Sequence, residues 1–244
     1  MMTQEAKNVH PADIMIVTIA KLLHDNETVF HGVSSQLPMV AILLAKKMHA
    51  KNLNYLNIPG GVDSNPRNLL SYSSAGEDIY NNGCAVFPLQ EIFDLSMRGK
   101  LDVAFLSGVQ FDKSGNVNAS VIGDYHNPKI RLPGGAGSAV LIPTVKRALI
   151  WRTKHDARTF VDRVDFITTR GNVDRIITPL AVFKYKDNEL KLEAISPLTT
   201  IDEVVKNTGF TVNTQGVRVL DYPTKEEMLL IKKIDPKGVR YKEF

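Results

Sequence analysis

A chain of 244 residues, 43% of them hydrophobic and 23% charged, is long enough to bury a substantial core, which excludes a disordered or fibrous class and predicts one globular domain over 1–244. Its 30 Lys+Arg against 26 Asp+Glu leave a net charge of +4, spread without a basic stripe interleaved with aromatics, so nucleic acid is not an expected partner while an anionic ligand is compatible. A single cysteine, Cys84, rules out an internal disulfide and a cysteine-rich metal site, and the apolar run near the N-terminus, interrupted by Asp13 and Lys21, is too short to span a membrane, so a cytoplasmic protein is expected.

Pro11 to Leu23 places Ile14, Ile16, Val17, Ala20 and Leu23 near helical spacing and predicts a packing helix, started by Pro11 and Asp13. Thr28-Val29-Phe30 reads as a short strand. His31-Gly32-Val33-Ser34-Ser35 is then a turn of small residues that opens a second helix at Pro38, where a first-turn N–H would be unpaired anyway. This helix runs to about Ala50, with Met39, Leu43, Leu44 and Ala45 inward and Lys46, Lys47 and Lys51 near its end, where cations suit the dipole. A strand over Leu53–Ile58 leads into Pro59-Gly60-Gly61-Val62-Asp63-Ser64-Asn65-Pro66. In an open α/β sheet the loop leaving the carboxyl end of a strand is a usual ligand position. From Arg67 to Gly83 the chain is polar and irregular, a candidate lid or exposed excursion carrying Glu77.

Phe87-Pro88-Leu89 leads into a helix ending at Arg98-Gly99, and Asp102–Gly108 reads as a buried strand. The repeated alternation predicts an α/β fold with an open, mostly parallel sheet flanked by helices. Asp112-Lys113-Ser114-Gly115-Asn116 is a turn-forming corner. Pro133-Gly134-Gly135-Ala136-Gly137, before the apolar run Ala139–Ile142, leaves backbone N–H groups unshielded and is a candidate anion site. Ala148–Ile150 and Val164–Ile167 are expected as strands, with Trp151 a packing residue. Ala181–Tyr185 and Leu190–Ile195, joined at Asp187-Asn188, form an expected hairpin. Thr200-Ile201-Asp202-Glu203 and Thr224-Lys225-Glu226-Glu227 both fit a capping box, so two helices close the chain, the second to about Ile234. Gly115 and Gly123 read as turn positions, Cys84 as a buried inert thiol, and no metal site is expected.

Three stretches, Val109-Gln110-Phe111-Asp112 through Gly115-Asn116-Val117-Asn118, Ile122-Gly123-Asp124-Tyr125-His126-Asn127-Pro128-Lys129, and Gly134-Gly135-Ala136, together resemble the β subunit of family I CoA-transferases, nearest the glutaconate CoA-transferase type. The likeness extends from the first helix to Asn207-Thr208-Gly209-Phe210 and Ile234-Asp235-Pro236. The resemblance implies an α/β fold, a homologous α subunit as partner, and an acyl-CoA site at the interface of the two. Coenzyme A would enter as part of the substrate, with no tightly bound cofactor and possible use of an acceptor carboxylic acid. Gly60, Gly61, Gly134, Gly135, Ala136 and Gly137 are implied as substrate or CoA contacts, and Asp124-Tyr125-His126 as a structural or interfacial segment.

In such transferases a β-subunit glutamate attacks the acyl-CoA thioester, and nearby donors hold the developing oxyanion. That glutamate belongs in a Glu-(Ser/Asn)-Gly motif at the end of the Leu53–Ile58 strand, where this chain reads Ile58-Pro59-Gly60-Gly61. Proline has no group that can attack a thioester, so the covalent mechanism does not carry over. Three readings follow. Another carboxylate substitutes, Glu77 first and Asp63 next; or the subunit serves an acyl-CoA hydrolase of the ring-opening type, whose catalytic glutamate lies on the α subunit; or it is non-catalytic and completes the partner's CoA pocket.

Overall fold

The computed structural model of the protein describes residues 9–64, 75–76, 79 and 83–244. The chain divides into two compact units, Met1–Phe105 with Leu220–Phe244, and Leu106–Val219.

The first unit opens with α1 (Pro11–Lys21), whose N-terminus is capped by His10 Nδ1 accepting the Ala12 N–H at 3.1 Å. A mostly apolar helix with Ile14, Met15, Ile16, Val17, Ile19 and Ala20 all buried is an interior element, as its composition requires. After β1 (Thr28–His31) comes α2 (Gln36–Met48), which starts two residues before the expected Pro38. Proline stands third in the helix, still among the first N–H groups that lack an intrahelical acceptor. Strand β2 (Asn54–Asn57) pairs parallel with β1, and the short β3 (Gly61–Val62) and β4 (Ala85–Val86) extend that edge antiparallel. Helix α3 (Gln90–Met97) and strand β5 (Val103–Leu106) follow, with β5 parallel to β1 on its other side. Val29, Phe30, Tyr55, Val103 and Phe105 are fully or almost fully buried, as in a parallel sheet covered on both faces.

In the second unit β6 (Gln110–Phe111) and β7 (Val117–Asn118) pair antiparallel around the expected corner. Asp112 organises it: Oδ1 accepts the N–H groups of Ser114 at 3.0 Å and Asn116 at 3.2 Å, while Gly115 takes a φ of +74°. A second hairpin, β8 (Val121–Gly123) and β9 (Pro128–Arg131), precedes α4 (Ser138–Thr144) and β10 (Arg147–Trp151). The strand expected over Val164–Ile167 is absent. Val164 and Asp165 give their N–H groups to the side chains of Asp112 (3.4 Å) and Gln110 (3.1 Å) instead of to a ladder, and the strand parallel to β10 is β11 (Val173–Ile177). The expected hairpin forms from β12 (Ala181–Lys186) and β13 (Glu189–Ile195). Its turn residues Asp187 and Asn188 have φ of 56° and 63°, the pair of left-handed conformations that matches strand twist. Helix α5 (Ile201–Lys206), capped by Thr200, and β14 (Arg218–Val219) complete the unit.

The chain ends in the first unit with α6 (Lys225–Ile234), which has the full capping box between Thr224 and Glu227. Beyond it Arg240, 4% exposed, bonds Asp13 Oδ1 on α1 at 2.7 Å and Asp235 Oδ2 at 2.8 Å. The C-terminus is thereby pinned to the first helix. The open, mostly parallel sheet flanked by helices expected from the alternation is the observed architecture, with β5-β1-β2 and β10-β11 as its parallel groups.

Candidate functional site

The parallel strands β1, β2 and β5 end level with one another, since His31 is in register with both Asn57 and Phe105. Ligands of open α/β sheets bind outside such carboxyl ends. Asn57 is wholly buried there, and its amide holds the following loop: Oδ1 accepts the Gly61 N–H at 2.8 Å, and Nδ2 donates to Ser64 Oγ at 3.2 Å and to the Ile79 carbonyl at 3.1 Å. Gly60 N–H donates to the Asn57 carbonyl at 3.0 Å, and Phe87 N–H returns to the Gly60 carbonyl at 2.9 Å. Gly60 has a φ of +98°, and a Cβ there would overlap the Phe87 carbonyl oxygen. Only glycine satisfies both demands.

Beneath this loop lies a buried His–Tyr pair. His31 Nδ1 is 3.0 Å from the Gly32 carbonyl, which can only accept, so Nδ1 carries the proton and Nε2 accepts the Tyr55 hydroxyl at 2.6 Å. Burial lowers the His31 pKa to about 4 and pushes the Tyr55 phenol up. With both ring nitrogens engaged and no exposure, His31 is a neutral support for the Gly32 turn rather than an acid or base open to a ligand.

The expected site residues are placed unequally. Pro59 is half-buried in the turn that leaves β2. Glu77 lies outside the described residues. Asp63, with a φ of +53°, is tied down: its Oδ1 accepts from Lys46 Nζ at 2.5 Å and from the Tyr55 N–H at 3.0 Å. It pins the loop to α2 and to β2. Cys84, expected to be buried, is exposed. It enters the edge strand β4, whose residues are both exposed, and its N–H donates to the Val62 carbonyl at 2.9 Å. Asp124 caps the β8–β9 turn by accepting the N–H groups of His126 at 2.9 Å and Asn127 at 2.8 Å, a structural use of this acid. Among the described residues no group of three or more His, Cys, Asp or Glu is placed to hold a metal ion.

In the second unit Gly134 has a φ of +92°, and its N–H donates to the Ala119 carbonyl at 2.8 Å. The N–H groups of Gly135, Ala136 and Gly137 have no hydrogen-bond partner among the described residues. Three successive free amides are the feature that the glycine-rich composition predicted. At the carboxyl end of β10, Trp151 is 6% exposed and its indole Nε1 has no hydrogen-bond partner, and neither does the buried Nε of Arg152. Leaving such a group unsatisfied costs about 1–3 kcal/mol. Sequence reading assigned Trp151 to packing and passed over Arg152, His31 and Asn57. The available signals were a lone cation after the apolar Ala148–Trp151 and a polar amide two residues before Pro59.

The coenzyme A transferase family model matches residues 12–207. The chain is 29% identical over 243 residues to the β subunit of 3-oxoadipate CoA-transferase from Pseudomonas knackmussii, spanning 91% of this chain and 92% of that protein. It is 27% identical over 248 residues to the β subunit of glutaconate CoA-transferase from Acidaminococcus fermentans, covering 92% of each. Among solved structures, the decarboxylase AibA/AibB superposes with a TM-score of 0.89 at 29% identity, over 96% of this chain and 98% of the other.

Proposed function

The chain belongs to the coenzyme A transferase family, and from that premise we propose that it is the β subunit of a hetero-oligomeric enzyme that acts on an acyl-CoA thioester together with a homologous α subunit. Its curated relatives are β subunits matched over nearly their whole length. Coenzyme A enters as the carrier part of the substrate, with no tightly bound cofactor. The enzyme works in the cytoplasm; no helix among the described residues is long and apolar enough to cross a membrane. The whole of 1–244 acts as one CoA-transferase-like domain.

The observation that carries the mechanism is Pro59 where the resemblance puts a glutamate, in a loop held in place by its neighbours. Gly60 and Gly61 are clamped by Asn57, and Asp63 is engaged by Lys46. We assign Gly60, Gly61, Gly134, Gly135, Ala136 and Gly137 as substrate or CoA contacts, with the free amides of 135–137 as hydrogen-bond donors to the thioester's polar groups. Pro59 cannot form a glutamyl–CoA thioester. The reacting carboxylate is therefore Glu77 of this chain or a glutamate of the α subunit. Asp63, already held by a lysine and a backbone amide, is a poor third choice.

A second reading, chemistry other than transfer, is favoured by the likeness to AibA/AibB, a decarboxylase on the same fold. In hydrolysis a carboxylate would take a proton from water, the hydroxide would add to the thioester carbonyl, and the CoA thiolate would leave and be protonated. The purified α/β complex, incubated with acyl-CoA and then with hydroxylamine, tests both. A modified residue on this chain by mass spectrometry identifies a nucleophile here, Glu77 first, whereas no modification rules that reading out and leaves a glutamate of the α subunit or a non-catalytic role. Free CoA released without an acceptor acid indicates hydrolysis, and CoA moved to an added acid indicates transfer by a carboxylate other than residue 59. Neither result indicates a non-catalytic subunit.

A further inference from the structure

Strand β7 stops at Asn118, and the two residues that follow it are fixed by side chains. Ala119 N–H donates to Thr168 Oγ1 at 2.9 Å, and Ser120 N–H donates to Asn118 Oδ1 at 2.9 Å. The carbonyls of the same two residues hold the glycine-rich loop. That of Ser120 accepts the Leu132 N–H at 2.9 Å, and that of Ala119 accepts the Gly134 N–H at 2.8 Å. Thr168 thus acts on the loop in two ways. Its hydroxyl fixes Ala119, and its Cγ2 lies against Gly135, where an added Cβ would come within 2.9 Å of it.

Thr168 is itself held. Its N–H donates to the Val117 carbonyl at 3.0 Å, its hydroxyl donates to Asn118 Oδ1 at 3.4 Å, and Oγ1 lies 2.7 Å from Ser120 Oγ. Asn118 is wholly buried, and its Nδ2 donates to Gln110 Oε1 at 2.7 Å and to the Val121 carbonyl at 2.6 Å. From the other side α4 pins the loop, because the Gly135 carbonyl accepts both the N–H of Ser138, at 2.9 Å, and its hydroxyl. In a trans peptide the carbonyl of one residue and the N–H of the next point in opposite directions, so the Ala136 N–H is turned away from Ser138. It is the middle one of the three amides, 135–137, that have no hydrogen-bond partner among the described residues. Donors fixed in place before reaction need no reorganisation when charge develops on a substrate oxygen.

We infer that Thr168, backed by Asn118, is a positioning residue for the reaction: its hydroxyl fixes Ala119, Ala119 fixes Gly134, and the amides of 135–137 are thereby aimed at the acyl-CoA thioester. The inference rests on the reading of those amides as substrate contacts, but the tether is measurable without turnover. Thr168→Val keeps a methyl beside Gly135 and removes the hydroxyl, whereas Thr168→Ser keeps the hydroxyl and removes the methyl. Hydrogen–deuterium exchange of the full chain, read by mass spectrometry in peptides covering 130–138, reports on the Leu132 and Gly134 amides. It should become severalfold faster in Thr168→Val and stay near the parent in Thr168→Ser, with the α1 and α2 peptides unchanged in both as the control for global unfolding. Should Thr168→Val fail to fold, Thr168→Ala, which places no methyl against the Ala119 N–H, takes its place with the same expected changes.

In the α/β complex kcat should fall about 10- to 100-fold in Thr168→Val while KM for the acyl-CoA stays within about twofold, and Thr168→Ser should recover most of the loss. Unchanged exchange in Thr168→Val sinks the tether and leaves the acyl-CoA reading untouched. Faster exchange with unchanged kcat also overturns the inference, since the amides would then move without consequence for the chemistry. A loss in Thr168→Ser equal to that in Thr168→Val assigns the effect to the methyl contact with Gly135 and overturns the role of the hydroxyl. A parent complex inert to every acyl-CoA refutes the functional reading, and with it the catalytic purpose of the tether, whatever the exchange shows.

Discussion

The tripeptide Pro-Gly-Gly occurs twice, at 59–61 and 133–135. In both copies the first glycine takes a left-handed φ, +98° at Gly60 and +92° at Gly134. Their surroundings differ. Gly60 lies under the Phe87 carbonyl, and the N–H groups of both glycines are held by Asn57. Around Gly134 nothing lies within 4 Å of where a Cβ would be, whereas at Gly135 a Cβ would come within 2.8 Å of Ala139 Cβ and 2.9 Å of Thr168 Cγ2. The first copy is a rigid platform with its amides used internally; the second ties only the Gly134 amide and opens a run of three free amides at 135–137. A glycine pattern therefore specifies backbone conformation, while the surrounding acceptors, Asn57 in the first copy, decide whether the amides can serve a ligand.

The sharpest way to break this comparison is the same substitution in each copy. Gly60→Ala adds overlap with a backbone carbonyl to the strain of a positive φ and should cost about 3–5 kcal/mol. Gly134→Ala meets only the strain and should cost about 1–2 kcal/mol. Urea unfolding midpoints at constant slope measure both, and equal losses would show the two loops to be alike.

Acid is the second probe, because the first unit holds the neutral His31 and the second unit has its own buried histidine. His155 bonds Thr178 and Thr208 and is likewise held down by burial to about 4. Unfolded histidines take up a proton near pH 6.5 while these two do not, so stability should be fully present above that pH and be lost as pH falls toward about 4. Each contributes at most about 3 kcal/mol. Glu243, raised by burial to about 7, has the opposite sign and loses stability as pH rises from 4.5 toward that value. Urea midpoints against pH in a Glu243→Gln background isolate the histidines. His31→Gln should then remove about half of the loss, and an unchanged profile would mean that His31 titrates normally.

Asn57→Ala separates the platform from its clamp. It leaves the buried Gly61 N–H without its acceptor and frees the Ser64 and Ile79 partners, a loss of about 1–3 kcal/mol. Activity of the α/β complex should fall by more than the stability change explains at temperatures where the protein stays folded, because the residue-59 loop is no longer fixed. Asn57→Asp, which keeps the Gly61 acceptor, should recover part of it.

Much of the fold was readable because its determinants are local. Apolar runs of strand length alternating with helical spacing gave the parallel groups, two left-handed turn residues gave the β12–β13 hairpin, and Thr224 with Glu227 gave the last helix start. The misreadings have long-range causes. Val164–Ile167 has strand-like composition, but its N–H groups are taken by Asp112 and Gln110, more than fifty positions earlier. Cys84 is exposed because the strand it enters lies at a sheet edge. The two glycine loops were legible from composition, and Gly60 and Gly134 do take left-handed φ. The role of Asn57 was not, because its buried amide is explained only by its contacts to Ser64 and the Ile79 carbonyl, which sequence spacing does not reveal.

The smallest expected effect bears on which carboxylate reacts. Asp63 follows the platform closely enough to be a candidate carboxylate beside Pro59, yet its position in the left-handed region and its two hydrogen bonds describe a loop pin. Asparagine tolerates that φ and still offers Oδ1 to the Tyr55 N–H, so Asp63→Asn removes chiefly the attraction to Lys46. With both side chains partly exposed, 23% for Lys46 and 35% for Asp63, that pair contributes about 0.5–1 kcal/mol. The turnover of the complex should stay within about twofold of the parent. A general base or nucleophile converted to its amide loses about 100-fold or more, so a collapse of kcat in Asp63→Asn without loss of folding would return Asp63 to the chemistry.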